Sequence, residues 1–213
     1  HHFFGLNPFV FHLDNLILHL LVTALIFFFG LRLGLHVAAS GLAALLFGIH
    51  PMHVESVAWI SERKDVLYAL FYLLALHSYW SYLQTQRKSS YLLSILCGFL
   101  SMLAKPMALS LPLIFLLCDW MKGRRFTPRV FLEKIPHVIA VAPVALITYS
   151  LFGQKVIPHS MGEAALTGIW SMMFYLGKFV FPFELKPLYT LPEPVSLSNP
   201  VYVEAILSAI VFV

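Results

Sequence analysis

The stretch HPMHVESVAWISERKD, residues 50–65, is the densest polar run in a chain that is otherwise almost continuously apolar. It carries His50, His53, Glu55, Glu62, Arg63, Lys64 and Asp65 between two long apolar segments. A soluble protein can place such a run in any surface loop. Between two membrane helices it must lie at the membrane–water boundary or line a cavity, because lone charges are costly in hydrocarbon. The rest of the chain reads as a frame for this loop.

Hydrophobic residues make up 60% of the chain and charged residues 11%, with a mean hydropathy of +0.83. An average soluble domain is about 25% charged, so these values point to an integral membrane protein. Seven apolar segments approach the roughly 20 residues that a spanning helix needs. They lie at about 12–33, 37–50, 65–83, 90–104, 106–121, 135–152 and from 200 onward. A further stretch, 165–182, contains Gly168, Gly177 and Lys178, ends at Pro182, and is expected to lie in the interface. The expectation is an all-α polytopic transmembrane bundle of about seven membrane helices plus an outer-face interfacial helix, in one domain over 1–213. The chain opens without Met and closes inside an apolar run. It is expected to be an internal fragment, and no signal peptide is assigned.

Charge distribution predicts orientation. The net charge is +4, but the basic residues are not gathered in one patch, so no nucleic-acid partner is expected. The break at Lys105-Pro106 reads either as one kinked helix or as a tight hairpin. The hairpin puts Arg32, Arg87, Lys88, Lys122, Arg124, Arg125, Arg129 and Lys134 on one side, against only Asp119 and Glu133. The other side holds Arg63, Lys64, Lys105, Lys155, Lys178 and Lys186 among seven acidic residues. Short loops rich in Lys and Arg face the cytoplasm. With the hairpin, residues 50–65 therefore face the periplasm or lumen of a bacterial inner membrane or endoplasmic reticulum.

Individual residues carry competing readings. His12, Asn15, His19 and Thr23 form a single polar stripe on the first helix, suited to interhelical hydrogen bonds, with His12 and Asn15 the better placed to meet a ligand. His50 precedes Pro51, so a helix can start there, and continuous helix over 51–62 would set Glu55, Trp59 and Glu62 on one face. The spacing of His50, His53 and Glu55 matches no trusted metal motif, and no metal or other cofactor is expected. Asp65 either caps the next helix or serves a site. Arg63 and Lys64 either snorkel or bind. Lys105, at the hairpin tip, either binds phosphate or ends its helix. His77, Tyr79, Trp80 and Tyr82 read as an aromatic belt, and Arg124, Arg125 and Arg129 as orientation signals that meet anionic lipid. Pro136 and Pro143 are expected to bend their helix. Cys97 and Cys118, in apolar segments, read as buried thiols. No P-loop, nucleophile elbow or Cys-pair zinc motif occurs, which argues against an ATPase or a hydrolase.

Three stretches together resemble a known family. The run Gly5-Leu6-Asn7-Pro8-Phe9-Val10-Phe11-His12-Leu13-Asp14-Asn15-Leu16-Ile17-Leu18-His19 resembles the entry to the second membrane helix of C-type glycosyltransferases. The run Phe47-Gly48-Ile49-His50-Pro51-Met52-His53-Val54-Glu55-Ser56-Val57-Ala58, followed by Arg63-Lys64-Asp65, resembles the second outer loop of one branch. That branch is the transmembrane and tetratricopeptide-repeat O-mannosyltransferase family with its bacterial relatives. Tyr175-Leu176, Phe181-Pro182 and Leu188-Tyr189 resemble its later outer segment.

The resemblance implies a sugar transferase that uses a polyprenyl-phosphate-linked sugar on the non-cytoplasmic face, with a protein hydroxyl as acceptor and the lipid bilayer as surroundings. It implies an acidic general base in a first outer loop, upstream of Gly5, and tetratricopeptide repeats beyond the C-terminal end. Within this chain the residues for donor phosphate or sugar are then Arg63, Lys64, Lys105, Asp65, His50, His53, Glu55, Glu62, His12 and Asn15. Cations beside the leaving phosphate stabilise its developing charge. The rival class is a transporter or lipid-handling scaffold. Such a protein is expected to place polar residues at mid-membrane depth in related halves, whereas here the polar cluster lies at one face.

Overall fold

Asn7 and Pro8 start the first helix. The Asn7 side chain accepts a hydrogen bond from the Phe9 amide at 3.1 Å, and proline suits a first turn where its missing donor would have no partner. The resulting α1 runs Pro8–Arg32. The structure, a computed structural model, describes residues 7–152, 160–186 and 189–212. Gly5, Leu6, Lys155 and Leu188, which carry parts of the expectations above, lie outside the described residues.

His36 caps α2 (Val37–Ile49) by accepting the Ala38 amide at Nδ1, 3.2 Å away. Small residues bring α1 and α2 together. A Cβ added at Gly30 would lie 2.7 Å from Ser40 Oγ, and one at Gly48 would lie 3.2 Å from Thr23 Cγ2. A 3-10 turn (Pro51–His53), the short α3 (Val54–Ala58) and a second 3-10 turn (Ile60–Glu62) lead into α4 (Arg63–Thr85). Next comes α5 (Lys88–Ala104), which stops where Lys105 turns extended ahead of Pro106, because a residue before proline disfavours the helical conformation. A 3-10 segment (Pro106–Ser110) and α6 (Leu111–Met121) follow, then α7 (Pro128–Leu132), α8 (Ile135–Phe152), α9 (Met161–Val180) and α10 (Pro200–Phe212).

Each of the eight predicted apolar segments is helical, and no strand occurs among the described residues. The fold is thus an all-α membrane bundle. Three helical stretches, Pro8–Leu33, Ile60–Thr85 and Pro128–Leu151, are long and apolar enough to cross a membrane alone. A fourth is added if α2 and the adjoining Pro51–Ala58, bent by 50°, make one broken span. The α5 helix, Pro106–Met121 and α10 are apolar but shorter than the expected seven full spans require.

The chain divides into two compact units, His1–Gln154 and Lys155–Val213. The first is built around Tyr79, Met102, Leu111 and Phe115 with Cys97, Cys118 and Val141. Both cysteines are free and buried, as expected. Leu92, Leu96, Leu103, Leu113, Ile139 and Leu146 stay exposed, as side chains facing lipid do. In the second unit, Ser160 and Glu163 form a reciprocal capping box that opens α9, four residues before the predicted start. The buried Tyr202 of α10 donates its hydroxyl to the Pro192 carbonyl at 2.8 Å. Lys178 donates to the Phe183 carbonyl at 2.6 Å and lies over the Phe174 and Tyr189 rings.

Contacts within the first unit decide between kink and hairpin at Lys105. Tyr91, in the first turn of α5, donates to the Glu133 carbonyl at 2.7 Å. Arg124, just past α6, ion-pairs with the Glu133 side chain. The start of α5 and the end of α6 therefore meet at one end of the bundle, while Lys105 meets Asp65 at the other. The chain reverses at Lys105.

The Glu133 end corrects two expectations. Tyr79 and Trp80 do not form a surface belt; they are 0% and 3% exposed. Tyr79 donates to Asp119 Oδ2 at 2.9 Å, and Trp80 donates to the Arg32 carbonyl at 3.1 Å. Nor is Arg124 a free lipid-facing cation. It reaches Asp119 Oδ1 at 2.6 Å and Glu133 Oε2 at 2.9 Å, and its hydrogen bonds to Glu133 are the chief cause that pushes its pKa further up. Lys134, 4% exposed, lies 2.6 Å from Asp119 Oδ2 and also donates to the Tyr79 hydroxyl. A carboxylate buried in an apolar segment needs such partners.

Candidate functional site

The 50–65 loop is held against α1 by one amide side chain. Asn15, fully buried, donates to the Val57 and Trp59 carbonyls at 3.3 and 3.1 Å. Its oxygen accepts Arg63 Nε at 3.3 Å. Arg63 also reaches Asp14 at 3.3 Å and lies over the Phe11 ring. The loop is not one continuous helix: Trp59 is extended (φ −87°, ψ 125°) and breaks the run. Asn15 meets the carbonyls this break exposes.

Lower on the same stripe, His19 Nε2 lies 3.0 Å from the Gly48 carbonyl, and Thr23 donates to the His19 carbonyl at 2.9 Å. Asn15, His19 and Thr23 thus spend their polar atoms inside the bundle, whereas His12 is exposed. His19 stacks on Phe47, and His53 packs against Phe47 at 4.2 Å between ring centres. His50 caps the first 3-10 turn, its Nδ1 accepting the Met52 amide at 3.2 Å.

Asp65 does not cap α4. Its Oδ1 lies 2.6 Å from Lys105 Nζ, and its Oδ2 accepts the Ser56 hydroxyl at 3.3 Å. This contact ties three points of the chain together: the loop helix α3, the first turn of α4 and the tip of the α5–α6 reversal. Lys64 pairs with Glu62 at 3.2 Å, and Glu55 is exposed.

Two adjoining cavities, each about 240 Å³, open beside these groups. The first is mainly apolar in its lining, with Phe47, Val22, Val66 and Ala69, and also has His19, His53, Ser56, Asp65, Tyr68 and Lys105 in its wall. The second is lined mostly by apolar groups, among them Leu16, Ile49, Val54 and Val57, together with His50. His19 and His53 belong to the walls of both. Of the ten residues singled out from sequence, Asp65, Lys105 and His53 converge on the charged cavity and His50 on its neighbour. Arg63, Lys64, Glu55, Glu62, His12 and Asn15 line neither. Ser56 and Tyr68 line the charged cavity without having been singled out. Tyr68 follows Asp65 by three residues on a helix, the spacing that puts two side chains on one face. Among the described residues no group of three His, Cys, Asp or Glu is arranged to hold a metal ion.

No family model matches the chain, and no solved structure matches with significance. Curated proteins do. Human protein O-mannosyl-transferase TMTC4 is 33% identical over 153 residues, covering 62% of this chain and 21% of that protein. Mouse protein O-mannosyl-transferase TMTC2 is 31% identical over 155 residues, covering 68% of this chain and 18% of that protein. Human protein O-mannosyl-transferase TMTC1 is 46% identical over 76 residues, covering 35% of this chain and 9% of that protein. The chain spans about a fifth or less of the length of these relatives. In sequence, the chain is TMTC-like, similar to the TMTC protein O-mannosyl-transferases over a third to two thirds of its length.

Proposed function

We propose that the chain is the donor-binding part of a membrane glycosyltransferase. It would move a hexose, such as mannose, from a polyprenyl-phosphate carrier to a protein hydroxyl on the periplasmic or lumenal face. The observation that carries this reading is the pairing of the two cavities. Both are mainly apolar and share His19 and His53, and one of them adds an ammonium, a carboxylate and two hydroxyls from Lys105, Asp65, Ser56 and Tyr68. A lipid-linked sugar needs apolar and polar surroundings side by side.

In this reading Lys105 contacts the phosphate. As the acceptor oxygen bonds to the anomeric carbon, the bond from that carbon to the phosphate oxygen breaks, and negative charge grows on the phosphate. A cation already in place stabilises that charge without reorganising. The acceptor proton goes to an acid outside these residues, the one the resemblance puts upstream of Gly5. His53, Ser56 and Asp65 meet sugar hydroxyls or hold Lys105, His50 borders the apolar side, and Asn15 and Arg63 fix the loop that forms the wall. Lys64, Glu55, Glu62 and His12 line neither cavity and take no part in this reading.

The test is donor-lipid binding by the full-length protein in nanodiscs, using a polyprenyl-phosphate mannose, for wild type and Lys105→Ala. Wild type is expected to bind saturably and the variant at least about tenfold more weakly, as loss of one charge-assisted contact of about 1.5–3 kcal/mol implies. Unchanged affinity in a folded Lys105→Ala removes Lys105 from the site. No binding by folded wild type favours a scaffold or transporter.

A further inference from the structure

We propose that Asp65 is a resident competitor for Lys105, so that an incoming phosphate binds by displacing one anion from an ammonium already neutralised. The inference rests on the reading of Lys105 as the phosphate contact and says how that contact is regulated.

Among the described residues, Lys105 and Asp65 are the Lys, Arg, Asp or Glu side chains in the wall of the charged cavity. At 2.6 Å apart they cancel, and a phosphodiester entering there meets no net attraction until the pair opens. The pair is placed to open. Both side chains keep some access to solvent, 30% for Lys105 and 23% for Asp65. Apart from Lys105, the hydrogen-bond partner of the Asp65 carboxylate among the described residues is the hydroxyl of Ser56, at 3.3 Å.

The contrast lies within the same unit. Lys134 and Asp119 are also 2.6 Å apart, yet their side chains are only 5% and 0% exposed. Asp119 there is gripped by Tyr79 and Arg124 as well. That pair is a fixture; the Asp65–Lys105 pair is an exchangeable contact at a cavity wall. A charged group left without its partner at a partly buried wall is disfavoured. The carboxylate therefore keeps the ammonium oriented between ligands. After sugar transfer, when the departing carrier bears the fuller negative charge, Asp65 is the group positioned to take Lys105 back and favour release.

The experiment measures binding of polyprenyl phosphate, without sugar, to the full-length protein in nanodiscs of neutral lipid, with folding checked by thermal melting. Wild type is compared with Asp65→Asn, Lys105→Met and the double variant. Displacement of a resident anion predicts that Asp65→Asn binds about tenfold tighter, the lower end of what close charge pairs contribute. The double variant should bind as weakly as Lys105→Met, because the gain acts through Lys105. Should Asp65→Asn not fold, Asp65→Ser makes the same charge change and keeps a hydroxyl for Ser56. Unchanged or weaker binding by the folded Asp65 variants, with Lys105→Met still defective, overturns the competitor and leaves the phosphate contact standing. Unchanged binding by Lys105→Met overturns the phosphate contact itself, and with it this inference.

Discussion

Replacing Asp119 by asparagine is the sharpest test of what holds the bundle at the end opposite the 50–65 loop. Asp119 is 0% exposed and accepts from Tyr79, Arg124 and Lys134 at 2.9, 2.6 and 2.6 Å. The amide keeps the shape but removes the charge, leaving the 4%-exposed Lys134 ammonium without an ion-pair partner among the described residues. Breaking a buried pair from one side costs about 3–5 kcal/mol. Arg124 still has Glu133 through two hydrogen bonds, which argues for the lower part of that range. Arg129, 84% exposed, pairs with Glu133 at 3.6 Å, and Arg129→Ala should cost under about 1 kcal/mol. The assay is denaturant unfolding in mixed micelles followed by tryptophan fluorescence, with Trp80 reporting directly through its packing under Lys122. Asp119→Asn combined with Lys134→Met should cost clearly less than the two single costs added, since the second change removes the stranded charge. An Asp119→Asn protein within about 0.5 kcal/mol of wild type, or strictly additive costs, refutes the reasoning.

Other consequences are as direct. Asn15→Ala leaves the Val57 and Trp59 carbonyls without their donor and frees one side of Arg63. It should destabilise by about 1–3 kcal/mol, and hydrogen exchange should rise first over residues 54–63. Gly30→Ala drives a Cβ to 2.7 Å from Ser40 Oγ and should cost about 1–3 kcal/mol by forcing α1 and α2 apart. Gly41→Ala, in the same helix pair, meets nothing within 4 Å and should be neutral or stabilising by up to about 1 kcal/mol; thermal melting of the two variants side by side is the check. Ser160→Ala opens the capping box of α9 and should cost about 1 kcal/mol, seen as faster proteolysis before residue 165.

Helix positions were legible because length, apolarity and punctuation agree. Pro51 and Pro106 mark starts and Lys105-Pro106 marks a break, whereas α1 begins at Pro8, ahead of the apolar run expected from about 12. The start of α9 lies in the Ser160-x-x-Glu163 spacing of a capping box, a signal that apolarity alone does not carry. Pairings were not legible. Asp119 and Lys134 lie fifteen positions apart on the basic side, where charge counting treats each as a topology signal. The hint was Asp119 itself, an acid between Cys118 and Trp120 at the end of an apolar helix, which hydrocarbon tolerates only with a partner. Among the cations expected to face outward, Arg63 and Lys105 look equivalent in the sequence. Only the fold separates Arg63, turned to Asp14 and Asn15, from Lys105, forty residues from Asp65 and in contact with it. The ends at which these groups lie follow from the reversal at Lys105, which the sequence left open against a kink.

That reversal also acts on the bilayer. The 17 residues of α5 rise about 26 Å at about 1.5 Å per residue, short of the roughly 30 Å of a hydrocarbon core. A membrane that wets both ends of this hairpin has to thin around it by a few ångströms, at a modest cost for each. The dimple draws the headgroup plane down toward the Lys105 tip. In the proposed function, a lipid-linked donor diffusing into it would present its phosphate nearer the depth of the ammonium, so the shortness of one helix would help to recruit the donor from the plane of the membrane.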